Sequence, residues 1–68
     1  MSEIKEGDIY FVDLSPAIGV ELGGIRKCKV IKVYNNNLIN VVPFSAVDNR
    51  YHYEHTRSID IKRLREKV

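Results

Sequence analysis

One cysteine, no tryptophan and two prolines are all that this 68-residue chain has of the residues that most often brace a small fold from within. Cys28 stands alone, so no intramolecular disulfide can form, and no Cys/His group has the spacing of a zinc finger. No segment approaches the ~18 consecutive apolar residues of a membrane helix, and Glu3, Lys5 and Glu6 put charge where a signal peptide needs an apolar run. The expected compartment is therefore the cytoplasm. Net charge is also slight, at +2, so composition by itself does not announce a nucleic-acid binder. Domains this short bury too little surface to be robust alone, and with disulfides absent the expected support is a second subunit.

What charge there is lies in clusters. Arg26, Lys27, Lys29 and Lys32 form one, and Lys62, Arg63, Arg65 and Lys67 form another, read as a solvated terminus. Apolar residues recur mostly with a period of two, and no repeat or linker divides the chain, so it reads as one small β domain. A first strand is predicted over Asp8 to Asp13, with Ile9 and Phe11 on one side, Tyr10 and Val12 on the other, and cover on both. Three of the four glycines, Gly19, Gly23 and Gly24, place a loop between Ala17 and Gly24. Lys27 to Tyr34 and Leu38 to Pro43 form a predicted hairpin across Asn35-Asn36-Asn37. A fourth strand is predicted from Tyr51 through Arg57 to Ile59, and Asp60 caps a short helical turn over Ile61 to Leu64. The fold class is mainly all-β: a small antiparallel barrel or strongly bent sheet with one helical turn.

Three stretches carry a likeness: GDIYFVDLSP (Gly7 to Pro16), GGIR (Gly23 to Arg26) and RSIDIKRL (Arg57 to Leu64). With Glu21, the valine-rich strand at Val30 and the segment Val41 to Ser45 in the same order, the chain resembles the MazF/PemK family of toxin ribonucleases. The resemblance implies one SH3-like barrel domain over 1–68, lacking the family's C-terminal helix. It implies a homodimer that cleaves single-stranded RNA without a metal or cofactor and is inhibited by a cognate antitoxin. By position it implies a catalytic arginine at Arg26 and a catalytic hydroxyl at Ser45. The chain departs from the family in having Lys27 where proline follows the arginine, serine in place of threonine, and a shortened segment Ala46 to Thr56.

The residues themselves suit that chemistry. RNA cleavage without metal needs a donor for the charge on the phosphorane oxygens, and a guanidinium offers a planar fork that keeps its proton. Arg26 is the candidate for this role, and Ser45 could donate to the phosphate or the leaving oxygen. Glu21 has two readings, orienting Arg26 or acting as a base, against a solvated loop carboxylate. Lys27, Lys29, Glu21, Tyr51, Tyr53 and Arg57 are the candidate RNA-binding residues, with Tyr51 and Tyr53 expected on one face beside Arg50 and Arg57 as a stacking strip. Phe11 and Phe44 are expected in the core. Cys28, in an apolar strand, reads as a small core residue rather than a nucleophile. His52 and His55, three apart on one strand, should point to opposite faces, so neither a paired acid and base nor a metal site is expected of them. Two other functions fit the same fold: a non-catalytic RNA- or antitoxin-binding module, and a protein-targeting toxin of the gyrase-poison kind.

Overall fold

The computed structural model describes residues 3–15 and 24–68. Six strands follow one another: β1 (Ile9–Asp13), β2 (Ile25–Val33), β3 (Leu38–Ser45), β4 (Arg50–Tyr51), β5 (Arg57–Asp60) and β6 (Leu64–Lys67). Short 3-10 turns at Tyr53–His55 and Ile61–Arg63 complete the described elements. The class read from the period-two pattern is thus the class observed. The expected glycine loop lies outside the described residues apart from Gly24, and so does Glu21.

Strands β1, β2 and β3 form an antiparallel meander, with Tyr10 opposite Cys28, Val12 opposite Arg26 and Cys28 opposite Pro43. The hairpin between β2 and β3 turns where the three asparagines predict it. Asn35 Oδ1 accepts from the backbone N–H of Asn37 and Leu38, so the side chain takes over bonds the tight turn leaves unmade. One irregularity interrupts the ladder between Val30 and Lys32, an extra residue that bends the strand.

β6 pairs with the free edge of β1, while β5 pairs with β3 on the far side of the sheet. These two strands are consecutive, and the short turn at Ile61–Arg63 is all that separates them. Strands on opposite edges can be joined over so short a distance only if the sheet curls until its edges approach. Asp60 caps the connecting turn as expected, its carboxylate accepting from Lys62 N–H at 2.9 Å. The interior of the curl holds Tyr10, Val12, Leu14, Cys28, Val30, Ile39, Val41 and Ile59.

Four sequence expectations need correction. The fourth strand is broken: Phe44 faces Tyr51 and Val41 faces Arg57, so β3 advances three residues while the opposing chain advances six. The surplus of three is taken up by the 3-10 turn Tyr53–His55. Secondly, the C-terminal cations Lys62, Arg65 and Lys67 are exposed to solvent as expected, yet they belong to an ordered turn and strand. They lie on or beside β6, where Arg65 pairs with Asp13 at 3.1 Å, Lys67 with Asp8 at 3.7 Å, and Arg63 donates to the Asp13 and Ser15 carbonyls. Thirdly, β1 is covered on one side only, since Tyr10 and Val12 are buried but Phe11 is 38% exposed. Lastly, Phe11 and the half-buried Phe44 lie outside the core.

Candidate nucleic-acid interface

Alternation along the strands sorts the polar residues onto two faces. Cys28 and Val30 are buried, so Lys27 and Lys29, which alternate with them, face outward on β2. Lys27 lies opposite Phe11 on β1, its ammonium sits 4.4 Å above the Phe44 ring on β3, and Phe44 in turn lies opposite Tyr51 on β4. The Phe44 and Tyr51 rings meet edge to face, their centroids 5.1 Å apart. A single row therefore crosses four strands as ring, cation, ring, ring. Lys29 adds a second cation 5.8 Å from the Tyr51 centroid. Cations held over ring faces keep their charge while gaining order, and the arrangement offers both π faces and phosphate donors to an unpaired strand.

Alongside this row is an open hollow of about 320 Å³ lined by Phe11, Ile25, Arg26, Lys27, Phe44 and Ala46. Ile25 is 63% exposed there, a large apolar side chain left facing water. A larger hollow of about 630 Å³ lies at the opposite end of the sheet, lined by Glu3, Ile4, Val33, Asn35, Asn36, Ile39 and Ile61. That lining offers one carboxylate and no cation, so it does not suit a phosphate chain, and the smaller hollow is the better site.

Arg26 is half-buried at the start of β2, on the same side as Cys28 yet at the mouth of the smaller hollow rather than sealed in the core. Gly24, at φ +76°, makes the bend that delivers it, and the Gly24 carbonyl accepts from Leu14 N–H at 2.9 Å. Continuing the β2–β3 register from the pair Cys28 and Pro43 by two residues puts Arg26 beside Ser45. The two residues proposed for the chemistry are thereby neighbours in the sheet, though they lie nineteen positions apart in sequence. Ser45 is itself buried at 6% exposure, its hydroxyl oxygen lying 3.5 Å from the Asp48 N–H that donates to it.

The remaining candidates divide. Tyr51 is half-buried in the row, and its burial pushes the phenol's pKa up. Tyr53 begins the 3-10 turn and is 57% exposed, so it does not continue a strand face with Tyr51. Arg57 faces the interior side with Ile59, and its guanidinium donates to the Leu14 carbonyl at 3.3 Å. Arg50 turns away to Glu54, with which it makes two hydrogen bonds at 2.9 and 3.3 Å. Cys28 is fully buried, and burial pushes its thiol up to about 12, consistent with a packing role.

Sequence reasoning missed Phe11 and Phe44 as interface residues. The signal was present, because both stand on the parity of Lys27 and not of Tyr10, Val12 and Pro43. It also separated His52 from His55. The turn instead stacks their rings, centroids 5.8 Å apart, and brings Glu54 and Asp48 against them.

Taken together, the described residues make a small, curled antiparallel sheet with a basic and aromatic outer face and an arginine at the mouth of a hollow beside it. No known family model matches the chain. Over 29 residues it is 55% identical to the protein named Endoribonuclease EndoA of Bacillus subtilis (strain 168). That stretch amounts to 43% of this chain and 25% of the relative. The likeness supports the resemblance to the MazF/PemK family read from the three motifs. Among the described residues, no helix is long and apolar enough to cross a membrane.

Proposed function

We propose that this chain is a cytoplasmic toxin-type endoribonuclease that cleaves single-stranded RNA without a metal in the reaction, and that a cognate antitoxin restrains it. The observation that carries the reading is the row Phe11, Lys27, Phe44 and Tyr51, whose first three members line one hollow with Arg26. The 55% identity to a protein named as an endoribonuclease supports it. Unpaired bases stack along the row, the two lysines neutralise flanking phosphates, and the scissile phosphate sits at Arg26. There the guanidinium donates to the non-bridging oxygens as the 2′-oxygen attacks phosphorus and the 5′-oxygen leaves. Ser45 lends its hydroxyl to the phosphate or the leaving oxygen. A homodimeric, SH3-like form, as the resemblance implies, belongs to the same proposal.

Incubating the purified chain with mixed-sequence single-stranded RNA in EDTA tests this, with circular dichroism confirming that the protein stays folded. Fragments ending in 2′,3′-cyclic phosphate are expected, and Arg26→Ala should lower kcat about 100- to 1000-fold, the usual loss when one oxyanion donor is removed. Intact RNA after incubation with the folded native chain sinks the proposal. The burial of Ser45 favours a second reading, a binding module that holds RNA or antitoxin without cutting. Binding to the same RNA with no fragments, unaltered by Ser45→Ala, identifies that case.

A further inference from the structure

The chain from Asp48 to His55 folds back on the end of β3, where His52 N–H donates to the Pro43 carbonyl at 2.9 Å. A 3-10 turn has three residues per turn, so positions 52 and 55 eclipse one another. His55 N–H donates to the His52 carbonyl at 2.9 Å, and the two imidazoles stack. Glu54 turns back toward the first ring, its Oε2 3.1 Å from His52 Nδ1. One ligand-type atom from each of His52, Glu54 and His55 lies within 4.8 Å of the other two. The His52 side chain is only 9% exposed, and its second nitrogen, Nε2, is 2.8 Å from Asp48 Oδ2. That contact lacks the alignment of a hydrogen bond, so a buried ring nitrogen has a charged neighbour and no hydrogen-bond partner.

A neutral imidazole carries one N–H and one lone pair. With a carboxylate oxygen at each nitrogen, one lone pair always faces an anion at about 3 Å, which is repulsive unless further positive charge lies at that nitrogen. Either a second proton or a cation can supply it. A proton between His52 and Glu54 involves those two residues alone and gives the His55 ring no part. A divalent ion uses all three donors. Two imidazoles and one carboxylate form a known zinc set that leaves a fourth position for water. A carboxylate that accepts from the other ring nitrogen fixes the tautomer and raises the ligand's basicity, and Asp48 Oδ2, 2.8 Å from Nε2, is near enough to take that role once an ion holds Nδ1. The Glu54 carboxylate accepts hydrogen bonds from both terminal nitrogens of Arg50, one on each oxygen. Arg50 can keep Oε1 when Oε2 turns to an ion, and its positive charge is offset by Asp48.

We propose that His52, Glu54 and His55 bind one divalent transition-metal ion of the zinc type, through His52 Nδ1, Glu54 Oε2 and a ring nitrogen of His55, with Asp48 supporting His52 from behind. The ion fixes the turn 52–55, which the His52 N–H bond to the Pro43 carbonyl holds to β3. It serves as the staple that a chain without a disulfide otherwise lacks. It takes no part in the cleavage proposed at Arg26.

The full chain, stripped of metal and dialysed, is titrated with Zn2+ and separately with Co2+ as a spectroscopic probe. A single equivalent should bind, Tm should rise with free Zn2+, and Co2+ should show the intense visible absorption of a four-coordinate site. His55→Ala should abolish both responses while its metal-free Tm stays near that of the native chain, and Asp48→Asn should weaken binding about 10- to 100-fold. Nitrogen NMR of the unmutated chain should show Zn2+ displacing the signals of His52 Nδ1 and one His55 nitrogen. The proposal is overturned by a Tm indifferent to Zn2+. It is overturned equally by responses that survive in His55→Ala, or by both His52 ring nitrogens remaining protonated in excess Zn2+.

Discussion

Glu54 shows how a single exposed side chain can set a pH dependence. Its carboxyl falls from 4.5 to about 2, chiefly because Arg50 donates hydrogen bonds to it, with its own backbone and His52 assisting. The folded value lies below the unfolded one, so the stabilisation is complete above 4.5 and is lost as pH falls toward 2. Asp13 acts in the same direction: hydrogen bonds from Ser15 lower it most, and the charges of Arg65 and Arg63 lower it further. Both carboxylates meet solvent, so each effect is small. Urea midpoints measured at intervals from about pH 5 down to about pH 2 should fall, and Glu54→Gln should make that fall shallower without removing it. An unchanged slope in the variant would show that the Arg50 pair contributes nothing to folding.

Among the elements, the start of β2 matters most, because it carries Arg26 to the hollow. Gly24 has φ +76°, a region that costs an L-residue about 1–2 kcal/mol, and nothing lies within 4 Å of where a Cβ would stand. Gly24→Ala therefore meets backbone strain without a clash, and should lower Tm by about 4–8 °C for each kcal/mol lost. Thermal scans followed by circular dichroism check this, and an unaltered Tm would mean that the bend relaxes freely. The segment 51–57 makes a different point about elements. Its alternation of polar and apolar residues reads as a strand, yet pairing with β3 at both ends leaves three residues over, and the chain turns them out. Local pattern cannot register a surplus defined by a partner strand.

For the whole molecule, the curl closes around few side chains. Val12, Leu14, Val30, Ile39 and Val41 in its core are all fully buried, and in a chain of 68 residues the total stability is roughly 3–10 kcal/mol. Removing a buried Ile side chain to the Cβ usually costs about 2–5 kcal/mol. Ile39→Ala should thus cancel much of the folding free energy, leaving a chain partly unfolded at 37 °C by urea denaturation. A loss below about 1 kcal/mol would mean that the centre of the curl repacks. The closure also explains why the C-terminal cations are fixed: β6 must return to β1, and it lays Arg65 and Lys67 against Asp13 and Asp8.

The sequence by itself determined the β class, the hairpin at Asn35 to Asn37, the cap at Asp60 and the buried Cys28. Each depends on residues near in the chain, through side-chain alternation, turn chemistry or apolar neighbours. Its likeness to toxin ribonucleases likewise lies in short contiguous motifs. Only the tertiary structure decided that Phe11, Lys27, Phe44 and Tyr51 share one row, that Arg26 stands beside Ser45, and that His52 meets His55, Glu54 and Asp48. The first two depend on register between strands, and the last on a surplus of residues that the strand pairing forces into a turn. Such distances are fixed by the closing of the sheet, and no local pattern in the chain encodes where its edges meet.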